Sequence, residues 1–249
     1  RAVEKLAENT GEYRPFLDGR IGSLLASMDE AGVAVSCLSS VATKPSQAAS
    51  ILEWSKEIRS GRIEPLPSFH PFSPSWEREV DAIAAAGFRG VKLHPFYQDF
   101  LADDERLSPV YEKLSSKGLF ALFHSGNDVA FPNMTNAAPA RIAKVHGRFP
   151  GLTIIAAHLG GWHDWDDVLE HLAGKEIGLD TSFSHEVSPS LAKRILDAHS
   201  PELVYFGSDS PWTDQKESLS FIRSLGLGDE RTDKILGFNA VKLFGFPGA

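Results

Sequence analysis

The strongest constraint on the fold is a regular alternation of short apolar runs with helical segments. The strand-like runs begin about 28 residues apart, and a glycine closes most of the helices between them. Strands separated by helices of this length pair in parallel, as βαβ units. The predicted strands cover residues 33–41, 63–69, 89–95, 119–126, 152–161, 176–183 and 202–211. The predicted helices cover about 20–31, 45–60, 74–87, 107–117, 139–146, 164–172 and 189–199, followed by closing helices at 215–225, 229–236 and 239–244.

This pattern predicts an α/β fold, the (β/α)8 TIM barrel, formed by residues 1–249 as a single domain. Seven strands are one fewer than a closed barrel needs, and no strand is visible before residue 33. We therefore expect the first strand to be missing from this chain or disordered. A doubly wound open sheet is the alternative, but no Gly-x-Gly-x-x-Gly turn follows an early strand.

Composition narrows the classes of partner. A formal net charge of −8 and the absence of any run of five basic residues argue against nucleic acid. No apolar run approaches the roughly 20 residues of a membrane span, and no signal peptide is visible. The single cysteine, Cys37, is expected to be a small buried hydrophobe, which fits a reducing cytoplasm. A small-molecule substrate and a homodimer are the remaining expectations.

Four of the strand-like runs end in a polar group that can bind a metal or move a proton. They read RGVKLHP (89–95), LFALFHSG (119–126), LTIIAAHLGG (152–161) and LVYFGSDSPW (203–212). A histidine or aspartate at the end of a buried strand is costly unless it has a partner or a function. Because parallel strands of a barrel end at one mouth, these groups are expected to converge there.

The candidate roles follow from residue type. His124 and His158 are candidate metal ligands, with a histidine hydrogen-bonded in the core as the alternative for each. Asp209 is a candidate ligand and proton carrier, or else an ordinary residue at a helix start. Lys92 and His94 share one face of a strand. Lys92 would bind an anionic substrate group, carry a carbamate, or pair with an acid in the barrel floor.

For several other residues the sequence allows more than one role or gives only a location. His94 contacts the substrate or supports the site by hydrogen bonds, and Trp212 is a candidate pocket wall for a flat substrate. The loop 127–138 is long enough to act as a lid. His146, His171, His185 and His199 are expected at the surface. Phosphate loops, HExxH, paired cysteines and a nucleophile elbow are all absent, so a Ser-His-Asp hydrolase has little support.

The motifs GVKLHP, HSG, AHLGG and GSDSPW, in this order, resemble the amidohydrolase superfamily and specifically its amidohydrolase 2 branch, over about residues 60–245. The resemblance implies a (β/α)8 barrel that holds one or two divalent ions, most often zinc, with manganese as a second option. It implies that His124 binds the metal and that His158 binds a second metal or the substrate. It also implies that Asp209 binds metal and acts as the acid/base.

One departure from the family pattern is clear. The family begins with a strand that ends in His-x-His, and no such motif occurs here. The expectation is that the chain as given lacks its N-terminal stretch, and the alternative is a member that has lost its metal and activity. Three functions stay open on this basis. They are a metal-dependent hydrolase, a metal-dependent decarboxylase of an aromatic or unsaturated acid, and a non-catalytic barrel that binds or scaffolds.

Overall fold

The structure is a computed structural model that describes residues 13–246, so the predicted absence of a strand near the start of the chain falls partly outside the described residues. Within them, strands and helices alternate as the sequence predicts. The strands are Ser36–Ser39 (β1), Ile63–Leu66 (β2), Gly90–Leu93 (β3), Phe120–Phe123 (β4), Ile154–Ala156 (β5), Gly178–Asp180 (β6) and Val204–Tyr205 (β7). The α-helices are Ile21–Ala31 (α1), Ala48–Ile58 (α2), Trp76–Ala85 (α3), Ser108–Ser116 (α4), Pro139–Arg148 (α5), Trp165–His171 (α6), Pro189–Asp197 (α7), Gln215–Ser224 (α8), Asp229–Asp233 (α9) and Asn239–Phe244 (α10).

All the strand pairs within residues 13–246 are parallel and join strands that are neighbours in the chain. β1 pairs with β2, and β3 to β7 form a five-stranded sheet in sequence order. The two sheets meet where the backbone N–H of Lys92 donates to the carbonyl of Pro67 at 3.0 Å. The Ser68 hydroxyl donates to the Lys92 carbonyl beside it, at 2.8 Å. Sequential parallel strands with helical crossovers are the arrangement of the predicted α/β barrel.

Alternation along the strands separates two apolar layers. Val91 and Leu93 of β3 belong to the main core with the surrounding helices, whereas Lys92 lies between them on the other face. A smaller cluster of Leu66, Phe120 and Ile155 packs against the C-terminal helix α10. The helical shell therefore carries most of the apolar core, and β3 keeps one face for polar groups.

The closing helices differ from the predicted pattern. The predicted helix 229–236 is split into the short α9 and a π-helical turn, Lys234–Phe238. The buried Asn239 follows this turn, and its amide donates to the carbonyls of Pro201 and Val204 at 2.7 Å each. These bonds fix α10 to the start of β7. Among the described helices, none has the length and apolar character that a bilayer crossing requires.

Two expectations about burial were wrong. Cys37 is exposed, because β1 has a paired neighbour, β2, on only one side within the described chain. His199 is buried, with 4% of its surface exposed, because its Nδ1 accepts the backbone N–H of Gly174 at 3.2 Å. This contact joins the end of α7 to the turn after α6.

Candidate functional site

The carboxyl ends of β3 to β7 bring the candidate groups to one mouth of the barrel. His94 follows the last residue of β3 and His124 follows the last residue of β4. His158 lies two residues beyond β5, Asp180 ends β6, and Asp209 lies four residues beyond β7. Neighbouring parallel strands end at the same edge, so local strand position alone accounts for the convergence.

His94 and His124 form the centre of the site with Asp128. The two rings stack, with centroids 4.2 Å apart and an angle of 15° between their planes. Each of the two residues is only 8% exposed. The Asp128 carboxylate lies 3.6 Å from Nε2 of His94 and 3.7 Å from Nε2 of His124. One ligand atom from each of the three residues lies within 4.8 Å of the others. Two imidazoles and a carboxylate are a common protein donor set for a divalent metal.

A buried amide holds His94 in place. Oε1 of Gln98 accepts the backbone N–H of His94 at 2.8 Å. Nε2 of Gln98 donates to the carbonyls of Ala42 at 3.0 Å and Phe69 at 2.8 Å. Gln98 is fully buried, so it joins the loops that follow β1, β2 and β3 where water cannot replace these bonds.

The turn that carries Asp128 depends on Gly126. Its φ is +91°, and a Cβ atom there would lie 2.1 Å from the backbone nitrogen of Trp162. This close approach lets Gly126 form β-bridges with both Ala137 and Trp162. The residues that follow Gly126, including Asp128, are thereby held at the mouth of the barrel. Asp128 then accepts the backbone N–H of Ala130 at 2.8 Å, which orients its carboxylate.

His158 contacts His124 directly. Nε2 of His158 lies 3.0 Å from Nδ1 of His124. On its other side, Nδ1 of His158 lies 3.0 Å from the hydroxyl and 3.2 Å from the carbonyl of Ser182. His124 in turn has Nε2 at 2.9 Å from the carbonyl of Asn127. The two histidines that the sequence singled out are therefore adjacent.

The outer partners of these two rings determine where their hydrogens lie. The carbonyl of Asn127 can only accept, so Nε2 of His124 carries hydrogen. The Ser182 carbonyl can only accept, and its hydroxyl donates to Asp180, so Nδ1 of His158 carries hydrogen as well. Two lone pairs then face each other across the 3.0 Å contact between the rings. A cation bound by Nε2 of His124 would remove this conflict, because the His124 hydrogen would then lie on Nδ1 and donate to His158.

Burial sets the charge states of the three central groups. Burial lowers the pKa of His94 and His124 well below the ordinary histidine value, and the nearby Lys92 lowers both further. Burial raises the pKa of Asp128. Neutral imidazole is the form that binds metal, so the two histidines are in the ligand state at neutral pH. The residues present therefore fit a divalent cation.

Asp209 and Lys92 lie within electrostatic reach of the same site. Burial raises the pKa of the Asp209 carboxyl and the charge of Asp180 adds to this rise, while the charge of Lys92 opposes it. Burial lowers the pKa of Lys92, opposed by Asp180 and Asp209. Asp209 has a positive φ of 59°, a conformation uncommon outside glycine. A half-buried carboxylate in this backbone conformation, within electrostatic reach of an ammonium group, is typical of functional sites.

The structure also places residues that sequence reasoning missed or assigned elsewhere. Asp128 was only part of the loop considered as a lid, although its position four residues after His124 was visible. His94 was assigned to the substrate or to support, and it lies in the central cluster. Trp212 joins the site through its backbone N–H, which donates to the Asp209 carbonyl at 2.9 Å. Its role as a pocket wall stays a prediction, as do the ligand roles of His158 and Asp209.

Three other aromatic residues line the cluster. Tyr97 lies edge-on to His94 with ring centroids 4.6 Å apart, and Phe96 lies edge-on to His124 at 5.5 Å. Phe131, from the loop that carries Asp128, stacks on Phe96 at 5.8 Å and contacts Tyr97 at 5.1 Å. Burial and the Asp128 charge raise the pKa of Tyr97 to about 12, so its phenol remains a hydrogen-bond donor at neutral pH.

Comparison with known protein families identifies the family of the chain. The model of the amidohydrolase family, in its amidohydrolase-2 form, matches residues 16–246. Comparison of the sequence with curated proteins gives no match.

Solved structures resemble the chain in fold. 5-Carboxyvanillate decarboxylase LigW from Sphingomonas paucimobilis is 20% identical with a TM-score of 0.73, over 92% of this chain and 84% of LigW. An uncharacterized TIM-barrel protein from Bordetella bronchiseptica is 19% identical with a TM-score of 0.75, over 98% of this chain and 92% of the other. A putative 2-pyrone-4,6-dicarboxylic acid hydrolase from Pseudomonas putida is 18% identical with a TM-score of 0.67, over 98% and 95%. At these identities the likeness confirms the α/β barrel fold.

Proposed function

The chain belongs to the amidohydrolase-2 family, and on that premise we propose that the protein is a metal-dependent hydrolase that acts at the C-terminal mouth of its barrel. The observation that carries this proposal is the cluster of His94, His124 and Asp128, whose ligand atoms lie within 4.8 Å of one another. Two neutral imidazoles and a carboxylate at the mouth of a barrel are suited to a catalytic cation.

We assign the cation to these three residues, with zinc favoured and manganese as the second option. When bound, a divalent ion supplies a Lewis acid that polarises a carbonyl and lowers the pKa of water. The chain itself positions the ligand side chains. Gln98 fixes the backbone of His94, and the turn at Gly126 brings Asp128 over both rings.

Proton transfer is assigned to Asp209, with His158 beside it. Burial raises the pKa of Asp209, so the carboxylate accepts a proton more readily than an exposed aspartate does. Asp209 would take the proton of the attacking water and return it to the leaving group. The charge of Lys92 favours the ionised form of Asp209 before it takes the proton and again after it has returned it.

Lys92 is assigned to an anionic group of the substrate. It is 9% exposed, and burial disfavours its charge, so an incoming anion would gain a charge partner with little competing water. This assignment favours small carboxylate-bearing substrates. The assignment also gives a reason for the position of Lys92, which lies in β3 two residues before His94 and therefore faces the same side.

Metal analysis of the full-length chain tests the proposal. We expect stoichiometric zinc or manganese that is lost in His124→Ala and strongly reduced in Asp128→Asn. His171→Ala, which removes a histidine from α6, is the matched control and should keep the metal. Wild-type protein that binds no divalent ion under any condition would contradict the proposal and favour the non-catalytic barrel.

A second reaction, non-oxidative decarboxylation, is favoured by the aromatic residues Phe96, Tyr97 and Phe131 beside the cluster. Their faces and edges suit a flat aromatic or unsaturated acid, and the Tyr97 phenol can donate to its oxygen. Product analysis separates the two reactions. Oxygen from labelled water in the product supports hydrolysis, whereas CO2 released without such incorporation supports decarboxylation.

A further inference from the structure

His158 is held in an unusual backbone conformation. Its φ is +61° and that of the next residue, Leu159, is +53°. The left-handed backbone conformation is unfavourable for residues other than glycine, and it persists where neighbouring groups enforce it. Two such residues in sequence at the end of β5 therefore require an explanation in the surrounding contacts.

Asp180, the last residue of β6, supplies these contacts. Its Oδ1 accepts the backbone N–H of His158 at 3.1 Å and the backbone N–H of Ser182 at 2.8 Å. Its backbone carbonyl accepts the N–H of Leu159 at 2.6 Å. One aspartate thus binds both left-handed residues through their backbones.

The same oxygen also sets the direction of a side-chain hydrogen bond. The Ser182 hydroxyl has one hydrogen and donates it to Oδ1 of Asp180 in a short contact. The hydroxyl oxygen, 3.0 Å from Nδ1 of His158, is then left as an acceptor. Nδ1 must carry the ring hydrogen, and Nε2, which faces His124, is left with its lone pair.

The end of β6 is itself fixed against the loop that carries Asp209. The Thr181 hydroxyl accepts the backbone N–H of Gly207 at 3.1 Å. A Cβ atom at Gly207 would lie 3.0 Å from the Ser182 side chain and 3.3 Å from Oδ1 of Asp180. This close packing leaves Asp180 and Ser182 little room to turn away from His158.

From these contacts we propose that Asp180, acting with Ser182, is a positioning residue that fixes the tautomer and the backbone of His158. The arrangement directs Nε2 of His158, as a hydrogen-bond acceptor, into the site. The inference rests on the proposed function only in giving this nitrogen a proton-handling role. The positioning itself is a property of the chain's own hydrogen bonds.

The test is long-range ¹⁵N–¹H NMR of the histidine side chains in the full-length protein without metal, at a fixed pH of about 8, where histidines are neutral. The His158 signals are assigned by their loss in His158→Gln. We expect wild-type His158 to carry hydrogen on Nδ1, because two acceptor oxygens of Ser182 face this nitrogen. His124, whose Nε2 faces the single acceptor Asn127, is then the ring that changes tautomer and donates to Nε2 of His158 when no metal is bound. In Asp180→Ala the Ser182 hydroxyl is free to donate to Nδ1, so the Nε2–H tautomer should become the larger population.

Two further variants sharpen the result. Asp180→Asn keeps one acceptor oxygen and should preserve the wild-type tautomer without the charge. Asp180→Ala combined with Ser182→Ala removes the hydroxyl that can reverse direction but keeps the residue 182 carbonyl, so the population with hydrogen on Nδ1 should rise above that of Asp180→Ala alone. Asp233→Asn, an exposed aspartate before the π-helical turn, is the control for loss of a carboxylate.

Hydrogen on Nε2 in the wild-type protein would overturn the proposal, even if Asp180→Ala fails to fold. An unchanged tautomer in a folded Asp180→Ala variant would overturn it too. The proposed function fails separately. If Zn²⁺ added to wild-type protein leaves the His94 and His124 signals unmoved, the metal site is wrong, whatever the tautomer of His158 shows.

Discussion

The buried amide of Gln98 offers a direct test of how the site is supported. Gln98→Met keeps the length of the side chain but removes its donor and acceptor. The substitution leaves three backbone groups without a partner: the N–H of His94 and the carbonyls of Ala42 and Phe69. Each buried, unsatisfied group costs about 1–3 kcal/mol, so with some relaxation we expect a loss of about 3–6 kcal/mol in the free energy of unfolding.

Urea denaturation in the presence of a chelator measures this loss. The urea concentration at the midpoint of unfolding should fall. The slope of the unfolding free energy against urea concentration should stay unchanged, since the fold buries the same surface. Gln47→Met is the matched control, because Gln47 accepts hydrogen bonds from Thr43 and Lys44 where water can replace them. Its loss should stay below about 1 kcal/mol. A Gln98→Met variant as stable as this control would refute the reasoning.

Three further predictions follow from the site. Asp128→Asn removes a charged ligand, and we expect roughly 100-fold weaker zinc binding by competition with a chromogenic chelator; affinity within threefold of wild type would exclude Asp128 as a ligand. Gly126→Ala places a Cβ 2.1 Å from a backbone nitrogen, so its melting temperature should fall well below that of Gly118→Ala, whose positive φ is strained but whose Cβ meets no atom within 4 Å. Equal melting temperatures would contradict the close approach. In metal-free protein, the lowered pKa of His94 and His124 means that the unfolded chain binds protons first as pH falls below about 6.5. Each histidine should then lower the free energy of unfolding by up to about 1.4 kcal/mol per pH unit, while the raised pKa of Asp128 and Asp209 acts in the opposite direction. The measured quantity is therefore the difference in slope between the wild type and the His94→Gln, His124→Gln double variant, and equal slopes between about pH 7 and 5 would contradict the burial of the histidines.

Much of the fold could be predicted because its signals are local. Apolar runs, helix-closing glycines and the spacing between them predicted each of the strands that the structure describes and their parallel order. The predicted strands were longer than the observed ones, as in 152–161 against Ile154–Ala156. The extra residues are the left-handed turn at His158 and Leu159, which depends on Asp180 in a different strand.

The convergence of the candidate site could be predicted in part for the same reason. His94 and His124 come directly after strands and His158 comes two residues after one, and the structure brings all three together. Asp128 could not be placed, because its position depends on a loop whose path is set by the close approach of Gly126 to Trp162.

Burial of individual side chains also depends on distant partners. His199 is covered because the turn at Gly174 donates to its ring, and Cys37 is exposed because of the one-sided pairing of its strand. Neither partner is visible in the residues next to these side chains. The aromatic residues beside the site, Phe96 and Tyr97, were likewise passed over in favour of Trp212.

The central claim is that His94, His124 and Asp128 together hold a divalent cation. Anomalous diffraction from crystals of the full-length protein grown with zinc tests it most directly. We predict one strong peak about 2.0–2.2 Å from a nitrogen of each histidine and from a carboxylate oxygen of Asp128. A peak bound by other side chains, or none at this mouth of the barrel, would contradict the account.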